Sequence, residues 1–162
     1  MALTKINNNT LSAITGLPAG VGGKVLQCKN TLALTGQNTT STSYVDITQL
    51  TDLAITPSAI GNLILVQINL ALYHNGGARV GLDLQMKTGS GSYSSKIVDS
   101  EVVADTNTSG FSHTSYALMY PHTIATTDEH QFKLMYKTNN SSYGIGINDN
   151  ASSSVTLWEI AG

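Results

Sequence analysis

Charged residues are scarce in this chain: Asp, Glu, Lys and Arg make up only 11% of its 162 residues. The eight Lys and Arg residues are scattered, so there is no basic stripe for nucleic acid and we expect no nucleic-acid partner. Cys28 is the single cysteine, which excludes an internal disulfide and a cysteine-ligated metal site. No segment approaches the ~20 apolar residues of a membrane span, so we expect no membrane partner either.

The polar residues that are abundant are Thr, Ser and Asn, with 20, 17 and 13 copies. These residues suit strands, turns and exposed sheet faces, and they suit helix interiors poorly. The apolar fraction of 41% in 162 residues is enough for one domain with a single buried core. A weakly charged surface of this kind is typical of a protein that is docked in an assembly.

Strand periodicity is clearest in "NLILVQINLALYH" (62–74) and "ARVGLDLQMK" (78–87). Alternation predicts a long central strand followed by a strand with one core face and one wet face. In the first strand, one face carries Ile64, Val66, Ile68, Leu70 and Leu72, and the other carries Leu63, Leu65, Gln67, Asn69, Ala71 and Tyr73. In the second strand, the residues expected to point inward are Val80, Leu82, Leu84 and Met86. "HNGG" between them predicts a tight hairpin turn, because Asn-Gly tolerates positive φ. Upstream, "SYVDITQL" predicts a strand that sends Tyr44 and Ile47 inward.

Short strands separated by Ser-, Thr-, Asn- and Gly-rich turns continue along the chain, about nine or ten in all, and no helical stripe accompanies them. This spacing predicts an all-β protein, an antiparallel β-sandwich in which a jelly roll of two four-stranded sheets fits the count. We assign residues 24–162 to this sandwich.

Candidate catalytic or metal-binding groups are few. The four histidines (His74, His113, His122 and His130) lack metal-ligand spacing. Asp128, Glu129 and His130 cluster before a strand, and Asp99 and Glu101 share one strand face; both are more typical of solvated surface groups than of acid–base pairs. We therefore expect no enzyme activity, no metal and no cofactor.

Aromatic side chains keep a carbohydrate-binding module open as an alternative. Stacking platforms for sugars could come from Tyr93, Tyr116, Tyr120, Tyr136, Tyr143 and Trp158. Tyrosines on sandwich strands more often pack against neighbouring strands, so this hypothesis requires that the rings be exposed in a row.

Residues 1–23 are predicted to form an N-terminal arm outside the sandwich. Their apolar residues are too sparse for a core, and Pro18 with the following glycines forms a hinge. Such a segment should become ordered by lying along a partner. The candidate partner contacts in the arm are Leu3, Ile6, Leu11, Ile14 and Leu17.

The last strand, "SVTLWEIAG", is apolar on both faces. Val155 and Leu157 lie on one face, and Trp158 and Ile160 lie on the other. A strand between its own core and a second subunit has this pattern, so Trp158 and Ile160 are further candidate partner contacts. The alternative is that a loop of the same chain covers Trp158.

The segments "GGKVLQ", "TTSTSYVDITQLTDLAITPSAIGNLILVQINLAL" and "SVTLWEIAG" resemble a domain that recurs in structural proteins of tailed bacteriophages, especially marine and cyanobacterial phages. The resemblance covers about residues 22–68 and the last strand. It implies a jelly-roll-like virion protein, usually a homotrimer, that decorates or cements the outer capsid surface. The partners it implies are sister subunits and the major capsid protein or another virion protein. The alternative it leaves open is a tail-fibre or receptor-binding tip on the tail, with a possible host-surface glycan as ligand.

Overall fold

The computed structural model describes residues 23–51, 53–104, 110–147 and 152–162. Within these ranges the chain forms strands joined by short turns, with one 3-10 turn at Thr48–Leu50. The strands are β1 (Val25–Ala33), β2 (Gln37–Thr39), β3 (Val45–Asp46), β4 (Leu53–Ile55), β5 (Leu63–Asn75), β6 (Arg79–Thr88), β7 (Ser94–Ala104), β8 (Phe111–Thr123), β9 (His130–Thr138), β10 (Ile145–Ile147) and β11 (Ser153–Ile160). The predicted all-β class is confirmed.

The strands form two antiparallel sheets that pack as a sandwich. In sheet A, β5 pairs with β8 along one edge, and with β11 and β10 along the other; β1 lies beyond β11 and β2 beyond β10. In sheet B, the order is β3 and β4, then β9, β6 and β7. The main strands of sheet A therefore run β1-β11-β5-β8, and those of sheet B run from β3 and β4 through β9 and β6 to β7. This is the order of a jelly roll of two four-stranded sheets.

The core lies between the sheets and is built by alternation along the strands. The four residues predicted to point inward from β6 are all buried, and so are the five that share one face of β5: Ile64, Val66, Ile68, Leu70 and Leu72. Facing them from β9 are Phe132, Leu134 and Tyr136, each at most 1% exposed. The central position predicted for β5 is also confirmed, because it has strand partners along both edges.

The predicted hairpin at "HNGG" is wrong. Strands β5 and β6 belong to different sheets, so the turn carries the chain across the sandwich and does not close a paired hairpin. Gly76 adopts a φ of 60°, and a Cβ at this position would lie 2.6 Å from the Tyr143 ring. The glycine is needed here for a tight corner between the sheets, because any side chain would collide with that ring.

The predicted strand "SYVDITQL" is only partly correct. Strand β3 covers two residues, and the chain then turns at Thr48–Leu50. Ile47 is buried as predicted, but Tyr44 is not a core residue. Its ring lies over the outer surface of sheet B, where Lys137 Nζ is 4.6 Å from the ring centroid.

Residues 1–22 lie outside the described part of the chain, so the division into an arm (1–23) and a sandwich (24–162) stays a prediction. Ladder pairing with β11 begins just before β1, where Ala161 N–H donates to the Lys24 carbonyl. Among the described residues there is no helix with the length and hydrophobicity needed to cross a membrane.

Candidate assembly interface

The outer face of sheet A is formed by the residues of β1, β11, β5 and β8 that point away from the core. Antiparallel registers align these residues in rows of four across the sheet. We call the first two rows the apolar rows: Val25, Ile160, Leu63 and Thr123, then Cys28, Trp158, Leu65 and Pro121. The next two are the polar rows: Asn30, Thr156, Gln67 and Met119, then Leu32, Ser154, Asn69 and Ala117.

None of these sixteen residues is Asp, Glu, Lys, Arg or His. The face is nevertheless accessible: Val25 is 50% exposed, Leu32 54% and Met119 57%. A strand with one side in the core and the other permanently in contact with water normally alternates apolar residues with polar and charged ones. Its water-facing side therefore carries charges. An accessible face of four strands without charge, apolar at one end, is typical of a surface that is covered by a partner.

Trp158 and Ile160 lie in the apolar rows, on the outer side of β11 as the sequence pattern predicts. Both are half-buried, and the indole Nε1–H of Trp158 donates to Gln67 Oε1 at 3.3 Å. This bond links the apolar rows to the polar rows. Their contact with a second subunit stays a prediction.

A buried carboxylate lies directly behind the apolar rows. Glu159, between Trp158 and Ile160, points into the sandwich and is fully buried. Its Oε1 accepts hydrogen bonds from the backbone N–H and the hydroxyl of Ser58, each at 2.7 Å, and from Asn62 Nδ2 at 2.7 Å. Gln27 Nε2 donates to Oε2 at 2.5 Å and also to the Thr56 carbonyl at 2.7 Å. The carboxylate therefore joins β1, β11 and the β4–β5 loop at one point.

Hydrogen bonding keeps Glu159 ionised in spite of its burial. Burial alone would raise the pKa of this carboxyl, but the bonds from Gln27, Asn62 and Ser58 outweigh burial and lower the pKa to about 2. All of these groups donate to the charged form, which is the arrangement that depresses a carboxyl pKa. The apolar rows are thus held in place from behind by a charge-assisted network.

The outer face of sheet B differs in composition. Lys87, Lys133 and Lys137 lie on it, and Lys133 Nζ forms an ion pair with Asp46 Oδ1 at 3.0 Å. The ring of Tyr93 lies between two of the lysines, with Lys87 Nζ and Lys133 Nζ each 4.9 Å from its centroid. This face has the charged residues that the four rows on sheet A lack.

The structure does not bring the candidate catalytic residues together. Asp128 is exposed and accepts from the Thr126 hydroxyl at 2.8 Å, whereas His130 is buried, with Nδ1 2.8 Å from the Asp128 carbonyl oxygen. Glu129 Oε1 accepts from Gln131 on the surface.

The second candidate pair, Asp99 and Glu101, lies on β7. The carboxylate of Asp99 hydrogen bonds with Tyr116; burial and this carboxylate raise the Tyr116 pKa. The Glu101 side chain lies outside the described part. Among the described residues, no three His, Cys, Asp or Glu side chains are grouped as metal ligands would be.

The aromatic residues considered for sugar stacking do not share one surface. Tyr136 is fully buried, and burial raises its pKa to about 12. Three others pack against the core from its edges: Tyr116, Tyr120 and Tyr143. Tyr93 and Trp158 lie on the outer faces of opposite sheets. The exposed row that the carbohydrate-binding hypothesis requires is therefore not formed by these six residues.

The candidate contacts Leu3, Ile6, Leu11, Ile14 and Leu17 lie outside the described residues, so nothing places them. Sequence reasoning missed Glu159, Leu65 and Pro121. A carboxylate within the apolar run "VTLWEIA" was the available signal for Glu159. Leu65 and Pro121 had no signal of their own, because only the register places them in one row with Trp158.

Comparison with known proteins identifies no family. No family model matches this chain, and none of the curated proteins matches it. One similar solved structure is "Structure of infectious bursal disease virus Gx strain", with a TM-score of 0.44 and 11% identity over 85% of this chain. This chain spans 33% of the length of that one.

Proposed function

We propose that this chain is a non-enzymatic structural subunit of a virus particle that assembles through the outer face of sheet A. The observation that supports this most is the lack of charge over four rows of an accessible sheet face. Burying such a face against a partner desolvates no ionised group, whereas burying charges costs several kcal/mol for each unpaired ion. Apolar rows at one end add the hydrophobic driving force.

The specific role we propose is a homotrimer that decorates or cements the outer surface of a bacteriophage head. The resemblance of residues 22–68 and of "SVTLWEIAG" to tailed-phage virion proteins supports this assignment. The fold alone does not, because jelly rolls serve many functions. Sister subunits would cover the outer face of sheet A, and the major capsid protein would be the second partner.

The proposed N-terminal arm supplies contact area that the sheet face lacks. Four strands ~4.8 Å apart and four rows ~6.8 Å apart give a face of roughly 500 Å². A stable interface buries about 800 Å² on each partner. Residues 1–23, with their five leucine and isoleucine side chains, would extend the contact on a sister subunit or on the capsid shell.

Deletion of residues 1–20 tests the role of the arm. We expect the truncated protein to remain folded, because the described strands begin at Val25. It should no longer join particles that lack the protein, as measured by cosedimentation. Normal decoration by the truncated protein would show that the arm is not needed for assembly.

Imaging of particles tests the function itself. Gold-labelled antibody against this chain, or a reconstruction of the particle, should place it on the head, and quantitative mass spectrometry should give hundreds of copies per particle. Tens of copies at the tail would assign the chain to a fibre tip instead. Absence from purified particles would overturn the virion assignment.

A further inference from the structure

Strand β1 forms an edge of sheet A along which a further strand could pair. It pairs with β11 on one side, and no described strand lies on its other side. Edge strands are usually protected by proline, bulges or several charges. In β1 the only register shift lies between Val25 and Gln27, no proline occurs, and Lys29 is the one charged residue from Gln27 to Ala33. Among the described residues, the edge from Gln27 onward is therefore regular and has no further strand paired to it.

Exposed aliphatic side chains accumulate along this same edge. Seven large hydrophobic residues are exposed in the described part of the chain, and four of them lie on β1 or directly after it: Val25, Leu26, Leu32 and Leu34. Leu34 is 67% exposed. An open edge with accessible leucines provides both requirements of strand addition, which are free backbone groups and apolar sites for alternate side chains.

We propose that the free edge of β1 binds residues 10–17 of a second copy of this chain as an added strand. This inference rests on the proposed function, since it names the surface on which the arm of a sister subunit lies. The segment "TLSAITGL" contains the β-branched residues Thr10, Ile14 and Thr15, and no charged residue occurs from Ile6 to Gly23. Pro18 ends it, because proline cannot continue the ladder.

A second β1 strand fits this edge less well than the arm does. Lys29 is the central residue of β1, so two β1 strands related by a two-fold axis through their centres would place Lys29 opposite Lys29. Like charges directly opposite each other destabilise a strand pair. The uncharged segment 10–17 meets Lys29 without repulsion.

The position of Gly23 favours the arm of a second copy over that of the same copy. Gly23 lies against Ile160 in the apolar rows, where a Cβ would overlap Ile160 Cγ2. The chain therefore leaves the sandwich at the face that we assign to the sister subunit, and six residues from Pro18 to Gly23 span up to ~20 Å. A strand folding back within one copy would first meet the irregular ladder at Val25–Gln27.

Disulfide trapping tests this proposal, with Cys28 as a native anchor on β1 that is exposed. Tagged wild-type chain is coexpressed with untagged chain that carries Cys28→Ser and, in turn, Leu11→Cys, Ser12→Cys, Ala13→Cys, Ile14→Cys or Thr15→Cys. After oxidation with copper–phenanthroline, we expect a tagged–untagged heterodimer on non-reducing gels for one or two adjacent positions. Only chains whose Cβ atoms come within about 4.5 Å can form the bond. No heterodimer at any position would overturn the proposal.

A second set of variants separates the two sources of the strand. Chains that keep Cys28 and carry the second cysteine should also form covalent dimers. If the oxidised chain instead runs as a monomer in which neither cysteine is free, the disulfide has formed within one copy. That result would place the segment on its own β1 and would overturn the proposal. Untagged chain that carries only Cys28→Ser measures the background. Adding Leu32→Lys to the tagged chain, whose β1 keeps Cys28, should lower the heterodimer yield at least fivefold.

The two proposals fail in different ways. Particles that carry many copies without any trapped disulfide would leave the virion assignment intact and remove strand addition. A trapped heterodimer from a protein that is absent from particles would do the reverse.

Discussion

The two outer faces of the sandwich both belong to antiparallel sheets that enclose one core, yet they differ in charge. The face of sheet B carries Lys87, Lys133 and Lys137, held by Asp46 and by aromatic rings. The four rows on sheet A carry no charge. The inner side of each sheet supplies the core, so the residues on the outer sides are not chosen by core packing. The difference in charge therefore needs another explanation. Under the proposed function, the outer face of sheet B is hydrated and the four rows on sheet A are covered by a partner.

A charge placed in the apolar rows should have the largest effect. Leu65→Lys puts an ammonium beside Trp158, which is its register partner on β11. Burying an unpaired charge in an interface costs about 3–5 kcal/mol, so association should weaken by roughly a hundredfold or more. Sedimentation velocity measures the association, and circular dichroism checks the fold.

The matched control is Gln85→Lys on the outer face of sheet B, between Lys133 and Ser95 in the ladder. It adds the same charge to the hydrated face and should leave association unchanged. Equal loss of association in both variants would show that net charge matters and the face does not.

The second prediction compares one carboxylate in each sheet. Glu159→Gln keeps the shape of the side chain but replaces one acceptor oxygen by an NH2 group. The site surrounds the side chain with hydrogen-bond donors, among them those of Ser58 and Asn62, so this NH2 group would face a donor. We expect it to lower the free energy of unfolding by about 2–3 kcal/mol in urea titrations. Asp46→Asn, in the exposed pair with Lys133, should cost less than about 1 kcal/mol.

The pH dependence of the unfolding free energy should show the contribution of the Glu159 carboxylate. The folded pKa of Glu159 is about 2, below its ordinary value of 4.5. The contribution of this carboxylate is therefore fully present above pH 4.5 and is lost as the pH falls toward 2. The stability of the wild type should decline over this range more steeply than that of Glu159→Gln. Parallel curves would contradict the assignment of a charge-assisted network.

Removing the Trp158 indole should have the third largest effect on the protein. Trp158→Ala deletes the largest side chain of the apolar rows and should weaken association about 30-fold, as for a buried aromatic contact at an interface. The unfolding free energy should change less, because Trp158 is only half-buried in the isolated chain. Unchanged association with a large loss of stability would support cover by a loop of the same chain.

Alternation along single strands was enough to predict the fold class, the two faces of β5 and the core residues of β6. A period of two identifies the buried face of a strand, and this information is local. It does not identify the strand's partner, which is why the "HNGG" turn was taken for a hairpin when it joins two sheets.

The site was less accessible to sequence reasoning because it is assembled from distant segments. Trp158 could be singled out as the sole tryptophan, but Leu65 and Pro121 join it only through the registers of β11, β5 and β8. The partners of Glu159 lie 97 to 132 residues away along the chain. No local pattern encodes pairs at such separations.

The last prediction concerns the Tyr93 ring on the hydrated face. Tyr93→Leu keeps apolar bulk but removes the ring that lies 4.9 Å from both Lys87 Nζ and Lys133 Nζ. Exposed cation–π contacts contribute about 0.5–1 kcal/mol each, so the unfolding free energy should fall by no more than about 2 kcal/mol. Association should not change, since this ring lies on the side opposite Trp158. If sedimentation instead showed dissociation, the hydrated face would itself be an interface, and the charge contrast between the two sheets would no longer locate the partner.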